Sequence, residues 1–157
     1  MGKVGQEIVK GDKKEIINDL RAAYANEWMA HHYFFLASRV VAGLRSPGLA
    51  EQFEEHAKDE LGHAEKLAER IMELGAEVPA TWEEVGKFAT VKVTLPKDTR
   101  DLNGFLKAFI EFERAVIRFY QELADKTHSK DLVTHELAED LLADEVRDEE
   151  EFENLLD

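Results

Sequence analysis

No cysteine occurs among the 157 residues, so disulfides, thiolate zinc sites, iron–sulfur ligation and cysteine nucleophiles are all excluded. Proline is scarce: Pro47, Pro79 and Pro96 fall between long stretches of helical periodicity rather than inside them. Bases are outnumbered, with 20 Lys+Arg against 34 Asp+Glu and a formal charge of −14. Such a field repels nucleic acid and anionic lipid and concentrates cations, so neither DNA nor a membrane is an expected partner. The shortage of base is greatest at the C-terminal end, where residues 131–157 hold twelve acids and only Arg147. The N-terminal MGKVGQEIVKGDKK lacks the apolar core of a signal peptide and reads as a short polar arm, which makes the cytoplasm the default location. Its lysines give it a small positive excess, too little to hold DNA at physiological salt on so acidic a chain.

With 44% hydrophobic and 34% charged residues, the chain is neither a disordered acidic tail nor a membrane protein. Apolar residues recur at helical spacing over about 13–43, 49–74, 101–126 and 131–156, predicting four long helices. The short connections LRSPG and KTHSKD make two antiparallel hairpins. Residues 76–100 differ, carrying Pro79, a capping-box pattern Thr81-Trp82-Glu83-Glu84 and the β-branched stretch Thr90–Thr94. That segment is long enough to cross the bundle with a short helix inside it. The expectation is one all-α domain over 1–157: a four-helix bundle with an arm at 1–12 and a long crossover at 76–100.

The chemistry shows when each helix is read for charge on its apolar stripe. Glu113 shares a face with Leu106, Phe109, Ile110, Val116 and Tyr120. Glu27 is flanked by Leu20, Tyr24 and Phe34, Glu60 by Phe53, Ala57, Ala64 and Leu67, and Glu145 by Leu141, Leu142 and Phe152. Each helix thus offers one glutamate to the core, where an isolated carboxylate costs several kcal/mol, on the order of the buried-ion penalty. A single such acid is readily satisfied by a buried Arg or Lys, with Arg39, Arg114 and Arg118 as candidates. Four at matched height call for cations: Glu113 and Glu145 are equidistant from Ser129 in their turn, and Glu27 and Glu60 straddle Ser46 to within about one turn. Glu60-Leu61-Gly62-His63 adds an i, i+3 Glu/His pair able to give an oxygen and a nitrogen to one ion, and Glu145-Val146-Arg147-Asp148 repeats the spacing with an acid.

This constellation resembles the ferritin-like di-iron carboxylate proteins, in which two helices each give a Glu and two give a Glu-x-x-His pair. Asn26-Glu27, Glu60-Leu61-Gly62-His63-Ala64 and Asp144-Glu145 look like bacterioferritin's site motifs, and Glu51–His56 with Leu67–Gly75 look like the Dps mini-ferritins. The resemblance implies a ferritin-like four-helix bundle, assembled as a hollow homododecamer, acting as an iron-storage ferroxidase that protects against oxidative stress. Two Fe(II) per subunit, with Mn or Zn as substitutes, would be held by Glu27, Glu60, His63, Glu113, Glu145 and Asp148 and oxidised by H2O2 or O2. Glu60 and Glu145 would bridge, and Glu27 and Glu113 would be terminal. Asp148 departs from the family's His, and Leu61 stands where bacterioferritin supplies its haem-ligating Met, so no haem is expected. His31 and His56 lie four residues from Glu27 and Glu60, open to roles as supporting partners, ligands on the approach route or packed polar groups. A rival site follows true Dps proteins, which bind iron across a dimer interface; His31, His32 and Glu69 of the Glu65–Arg70 segment would serve there. Tyr24 and Tyr120 read first as core. Two further readings stay open: a di-iron or di-manganese peroxidase or catalase-like enzyme without storage, and a helical-bundle interaction protein.

Overall fold

A computed structural model describes residues 2–156, in which six helices and no strand occur. Helix α1 is the short Lys3–Glu7 within the arm, and α2 spans Lys13–Val40. Asp12 starts α2 by accepting from the amides of Lys14 (2.9 Å) and Glu15 (3.2 Å), which satisfies donors that have no partner inside the helix. Helix α3 is Ser46–Glu73, with Pro47 in its first turn, where the missing N–H costs nothing. It ends in a Schellman motif: Ala76 N–H bonds to Ile71 C=O at 3.1 Å and Gly75 N–H to Met72 C=O at 2.9 Å. The motif places residue 75 at φ 82°, a conformation glycine adopts without the Cβ penalty.

Helix α4, Trp82–Phe88, carries the capping box read from the sequence, Thr81 and Glu84 bonding reciprocally. Helices α5 (Leu102–Thr127) and α6 (Leu132–Asn154) begin at Asp101 and Asp131, each of which caps the amide three residues on. The α5–α6 turn is closed by Ser129 in the left-handed region at φ 57°. Helix α3 starts three residues earlier than periodicity indicates and α2 ends three earlier, because Pro47 and the turn at Gly43, not the apolar pattern, set those boundaries.

Helices α2 and α3 pack as one hairpin, α5 and α6 as the other, and α2·α5 and α3·α6 contacts join the two. The Thr90–Thr94 stretch makes no strand; its backbone is bound to α2 by Asn26, whose side-chain oxygen accepts from Thr90 N–H (2.8 Å) and Val91 N–H (3.1 Å). Arg21 fixes the start of the crossover through two bonds to Glu77 C=O, and Ala42 N–H takes its end at Thr99 C=O. A buried pair ties the hairpins together: the Arg70 guanidinium holds both Asp131 oxygens at 2.8 and 2.9 Å and donates to Thr134 Oγ1. The arm is tethered as well, Lys10 N–H donating to Lys130 C=O at 2.7 Å.

The core is layered. Phe34, Phe53, Phe109 and Phe152, one from each long helix, form a dry aromatic layer in which Phe34 and Phe109 stack at 3.9 Å. Each stands one or two turns from the glutamate on its own helix. On the other side of the acids lie buried Leu20, Leu67, Tyr120 and Ala138. The four glutamates are therefore enclosed between apolar layers, with little water to screen them.

Candidate metal centre

All four stripe glutamates are buried, Glu27, Glu113 and Glu145 at 0% exposure and Glu60 at 1%, and His63 joins them at 4%. Around the His63 Nδ1 atom, Glu145 Oε1 lies at 3.1 Å, Glu60 Oε2 at 3.5 Å and Glu27 Oε2 at 3.8 Å. One ligand-capable atom from each of Glu27, Glu60, His63 and Glu145 falls within 4.8 Å of the others. Glu113 lies near Glu145, within reach of its charge. Each of the four long helices thus contributes one buried glutamate to this region.

Hydrogen bonds do not satisfy this cluster. Both oxygens of Glu60, Glu113 and Glu145, one oxygen of Glu27 and Nδ1 of His63 are buried without a directed partner. Native interiors rarely leave even one such atom, since each carries its full desolvation cost. The arginines that could have neutralised the acids are elsewhere: Arg39 pairs with Glu54, Arg114 with Glu111, Glu149 and Glu153, and Arg118 is exposed. A site built of carboxylates and one imidazole, unpaired with any lysine or arginine, has the donor set that suits divalent iron or manganese.

The electrostatics agree. Burial, then the charges of Glu145 and Glu27, hold the Glu60 carboxyl far above the ordinary carboxylate range. Glu113 is raised in the same way by burial and by Glu145 and Glu60. Burial and Glu27 push Glu145 up to about 7, against the pull of His63. Burial pushes the Glu27 carboxyl up too, but the neighbouring Glu60 and His63 and the Tyr120 hydroxyl outweigh it and leave the value below its usual one. Burial opposes charging His63, yet Glu145, Glu27 and Glu60 overcome that and favour the imidazolium. Packed like charges of this kind are relieved either by protons or by metal ions.

Two residues that the sequence names only as motif neighbours of Glu27 and Glu145 shape the cluster. Asp144 Oδ2 lies 3.3 Å from His63 Nε2, an acceptor that orients the ring with Nδ1 toward the buried carboxylates; Arg147 pairs with the other Asp144 oxygen. Asn26 anchors the crossover beside Glu27. Only their adjacency to Glu27 and Glu145 hinted at either role, because the partners lie in distant parts of the chain. Tyr120, read as core, is fully buried and its hydroxyl donates to Glu27 Oε1. An open pocket of about 420 Å³, lined in part by Asp59, His63, Asp144 and Asp148, leads from the surface to the imidazole.

The remaining candidates lie apart from this cluster. Asp148 turns toward His56, its Oδ2 3.2 Å from Nδ1, and is not one of the three carboxylates converging on His63 Nδ1. His31 Nδ1 bonds to Ala57 C=O at 2.6 Å, while His32 is exposed beside Trp82 and Glu69 is exposed. Tyr24 is half-buried and meets Trp28 edge to face.

The family model described as the ferritin-like domain matches residues 17–157. The chain is 29% identical over 145 residues to the DNA protection during starvation protein of Pyrococcus furiosus, covering 92% of this chain and 78% of that one. Among solved structures, the bacterioferritin-related protein of Bacteroides fragilis, a dodecameric thioferritin, superposes with a TM-score of 0.91 at 31% identity, covering 98% of this chain and 92% of that one. A ferritin-like, diiron-carboxylate protein of Bacillus anthracis superposes at 0.80 with 28% identity, over 94% and 99% of the two chains. The bundle with its long crossover, the four inward glutamates and the extent of these matches agree: the chain belongs to the ferritin-like domain family.

Proposed function

We propose that this protein is a ferroxidase of the mini-ferritin kind, oxidising Fe(II) at the buried cluster and storing the Fe(III) product inside a hollow homo-oligomer. The observation that carries the reading is the set of buried carboxylate oxygens without hydrogen-bond partners, gathered around the single imidazole nitrogen of His63. Glu27, Glu60, His63 and Glu145, with Glu113 beside Glu145, would hold two Fe(II) as substrate, Asp148 standing at the edge of the set. Two Fe(II) give up two electrons, and with H2O2 as oxidant and two protons the other product is two waters; O2 is the alternative oxidant. Carboxylates suit the reaction because hard oxygen donors hold iron in both oxidation states.

Binding would displace protons from Glu60 and Glu113, so the same carboxyls that hold the metal-free cluster together by protonation would become its ligands. The Asp144–His63 contact would keep Nδ1 aimed inward, and the Phe34, Phe53, Phe109 and Phe152 layer would keep water from one side. Assembly is supported by the dodecameric Bacteroides relative and by apolar groups left bare on the single chain, Leu44 at 99% and Trp82 at 62% exposure. The reading extends to the whole chain as one ferritin-like domain that works in the cytoplasm in oxidative-stress protection, without DNA as a partner. Among the described residues no helix is long and apolar enough to cross a membrane.

Stopped-flow mixing of the assembled protein with Fe(II) and either oxidant tests this. Rapid oxidation is expected in the wild type and lost in Glu60→Gln and Glu113→Gln; unchanged rates in both variants would overturn the assignment. Iron retained per assembly after gel filtration separates storage from peroxide turnover without retention.

A further inference from the structure

Seven residues or fewer from the buried cluster, on the α3–α6 face, His56 is buried at 5% exposure between aromatic walls, its ring 5.5 Å from Phe34 and 4.4 Å from Phe152. Both ring nitrogens face carboxylates: Nδ1 lies 3.2 Å from Asp148 Oδ2 and Nε2 lies 3.9 Å from Glu151 Oε2. A neutral imidazole has one N–H to give, so it leaves one of these acceptors facing a bare nitrogen. The Nδ1–Asp148 contact is a hydrogen bond within the group, whereas 3.9 Å to Glu151 is too long for one, so Nε2 faces that carboxylate without a made bond. Among the described residues neither Asp148 nor Glu151 has an ion pair with a lysine or arginine; the nearby Lys58 is paired with Glu54 and Arg147 with Asp144. One ligand-capable atom from each of His56, Asp148 and Glu151 falls within 4.8 Å of the others.

We infer that His56, Asp148 and Glu151 form a second divalent-cation site, separate from the buried cluster, with one imidazole and two carboxylate ligands. Two carboxylate charges match a divalent ion, and the nitrogen donor favours Fe(II) or Zn(II) over Mg(II) or Ca(II). Glu151, half exposed at 50%, supplies the flexible outer ligand, and Gln52 Nε2 donates to its other oxygen at 3.4 Å. Asp148 is the inner ligand, and its charge also reaches Glu113. The site therefore occupies the step between solvent and the buried acids, and the imidazole that the family pattern leads one to seek at position 148 is provided from α3 instead, for a different ion.

The inference shares Asp148 with the proposed ferroxidase centre but does not depend on it, and one set of crystals separates them. Chelator-stripped assemblies of the full chain are soaked with Zn(II), a redox-inert probe, and anomalous scattering at the zinc edge locates each ion, with equilibrium binding giving the number per chain. The wild type is expected to show zinc at His56 as well as at His63. His56→Phe, which continues the aromatic wall, removes the first peak and one ion per chain while keeping the buried ones. Glu151→Gln, at an exposed position where folding is not at stake, weakens the same site by at least roughly tenfold, since even a supporting group around a metal costs about 10–100-fold when lost. Zinc at His63 alone, or equal stoichiometry in wild type and His56→Phe, overturns this inference and leaves the ferroxidase reading standing. Zinc at His56 alone does the reverse, and zinc at neither overturns both.

Discussion

Glu145 offers the sharpest test of whether the cluster stores unfavourable charge that metal relieves. Burial and the Glu27 charge move its carboxyl from the ordinary 4.5 to about 7. Each pH unit of difference between folded and unfolded chain is worth about 1.4 kcal/mol, so the separation corresponds to about 3 kcal/mol. The sign follows from proton binding: between pH 4.5 and about 7 the folded chain holds the Glu145 proton more tightly than the unfolded one. The metal-free protein therefore loses that stability as pH rises through this window and regains it on acidification. Glu145→Gln imitates the protonated acid in size and neutrality. At pH 8 the metal-free variant is expected to exceed the wild type by about 3 kcal/mol, or about 6–12 °C in melting temperature for a chain of this length, and at pH 5 the gap should shrink to about 1 kcal/mol. Differential scanning calorimetry on chelator-treated assemblies reads this directly. Added Zn(II) should reverse the order at pH 8, stabilising the wild type strongly and the variant little, because ligand carboxyls must be deprotonated. Equal melting temperatures for the two metal-free proteins from pH 5 to pH 8 would refute the reasoning, since they would show that residue 145 carries no charge held away from water.

Other expectations test the supports of the cluster. Asp144→Asn should lower zinc affinity at the buried site by about 10–100-fold without unfolding the chain, as the His63 ring loses the carboxylate that orients it; unaltered binding isotherms would remove Asp144 from that role. Asp131→Asn leaves the buried Arg70 guanidinium with only the exposed Glu73 as counter-charge and should cost about 3–5 kcal/mol in chemical denaturation. The wild-type pair itself is pH-linked: burial raises the Asp131 carboxyl, but Thr134 and Arg70 outweigh it and lower it, so its contribution is present above the ordinary Asp value and lost as pH falls below it. Asn26→Ala removes three bonds between α2 and the crossover and should speed hydrogen exchange at the Thr90 and Val91 amides while leaving α5 and α6 protected.

Helical periodicity, proline placement and the capping-box pattern at Thr81 were enough to read four long helices, the two hairpins and the crossover helix. These are local features, in which a side chain meets amides two or three residues away or repeats on one helical face, so one segment carries its own information. The burial of Glu27, Glu60, Glu113 and Glu145 was legible for the same reason: an acid on an otherwise apolar stripe has only one direction to point. Boundaries were less legible where Pro47 and Gly43 override the apolar pattern.

What only the tertiary structure decided is which distant groups meet. Asp148 has the same i, i+3 relation to Glu145 as His63 has to Glu60, yet His63 turns into the cluster and Asp148 turns to His56 on the neighbouring helix. Arg70, which closes the Dps-like Glu65–Arg70 segment in the sequence, is the buried tie to Asp131, and Asn26 is spent on the crossover backbone. Helical spacing determines the face on which a residue stands; the partner it finds there depends on how helices separated by scores of residues pack, which no single segment encodes. The sequence by itself determined that four carboxylates enter an apolar core, and the packing of α3 against α6 determined which of the surrounding acids and histidines gather with them.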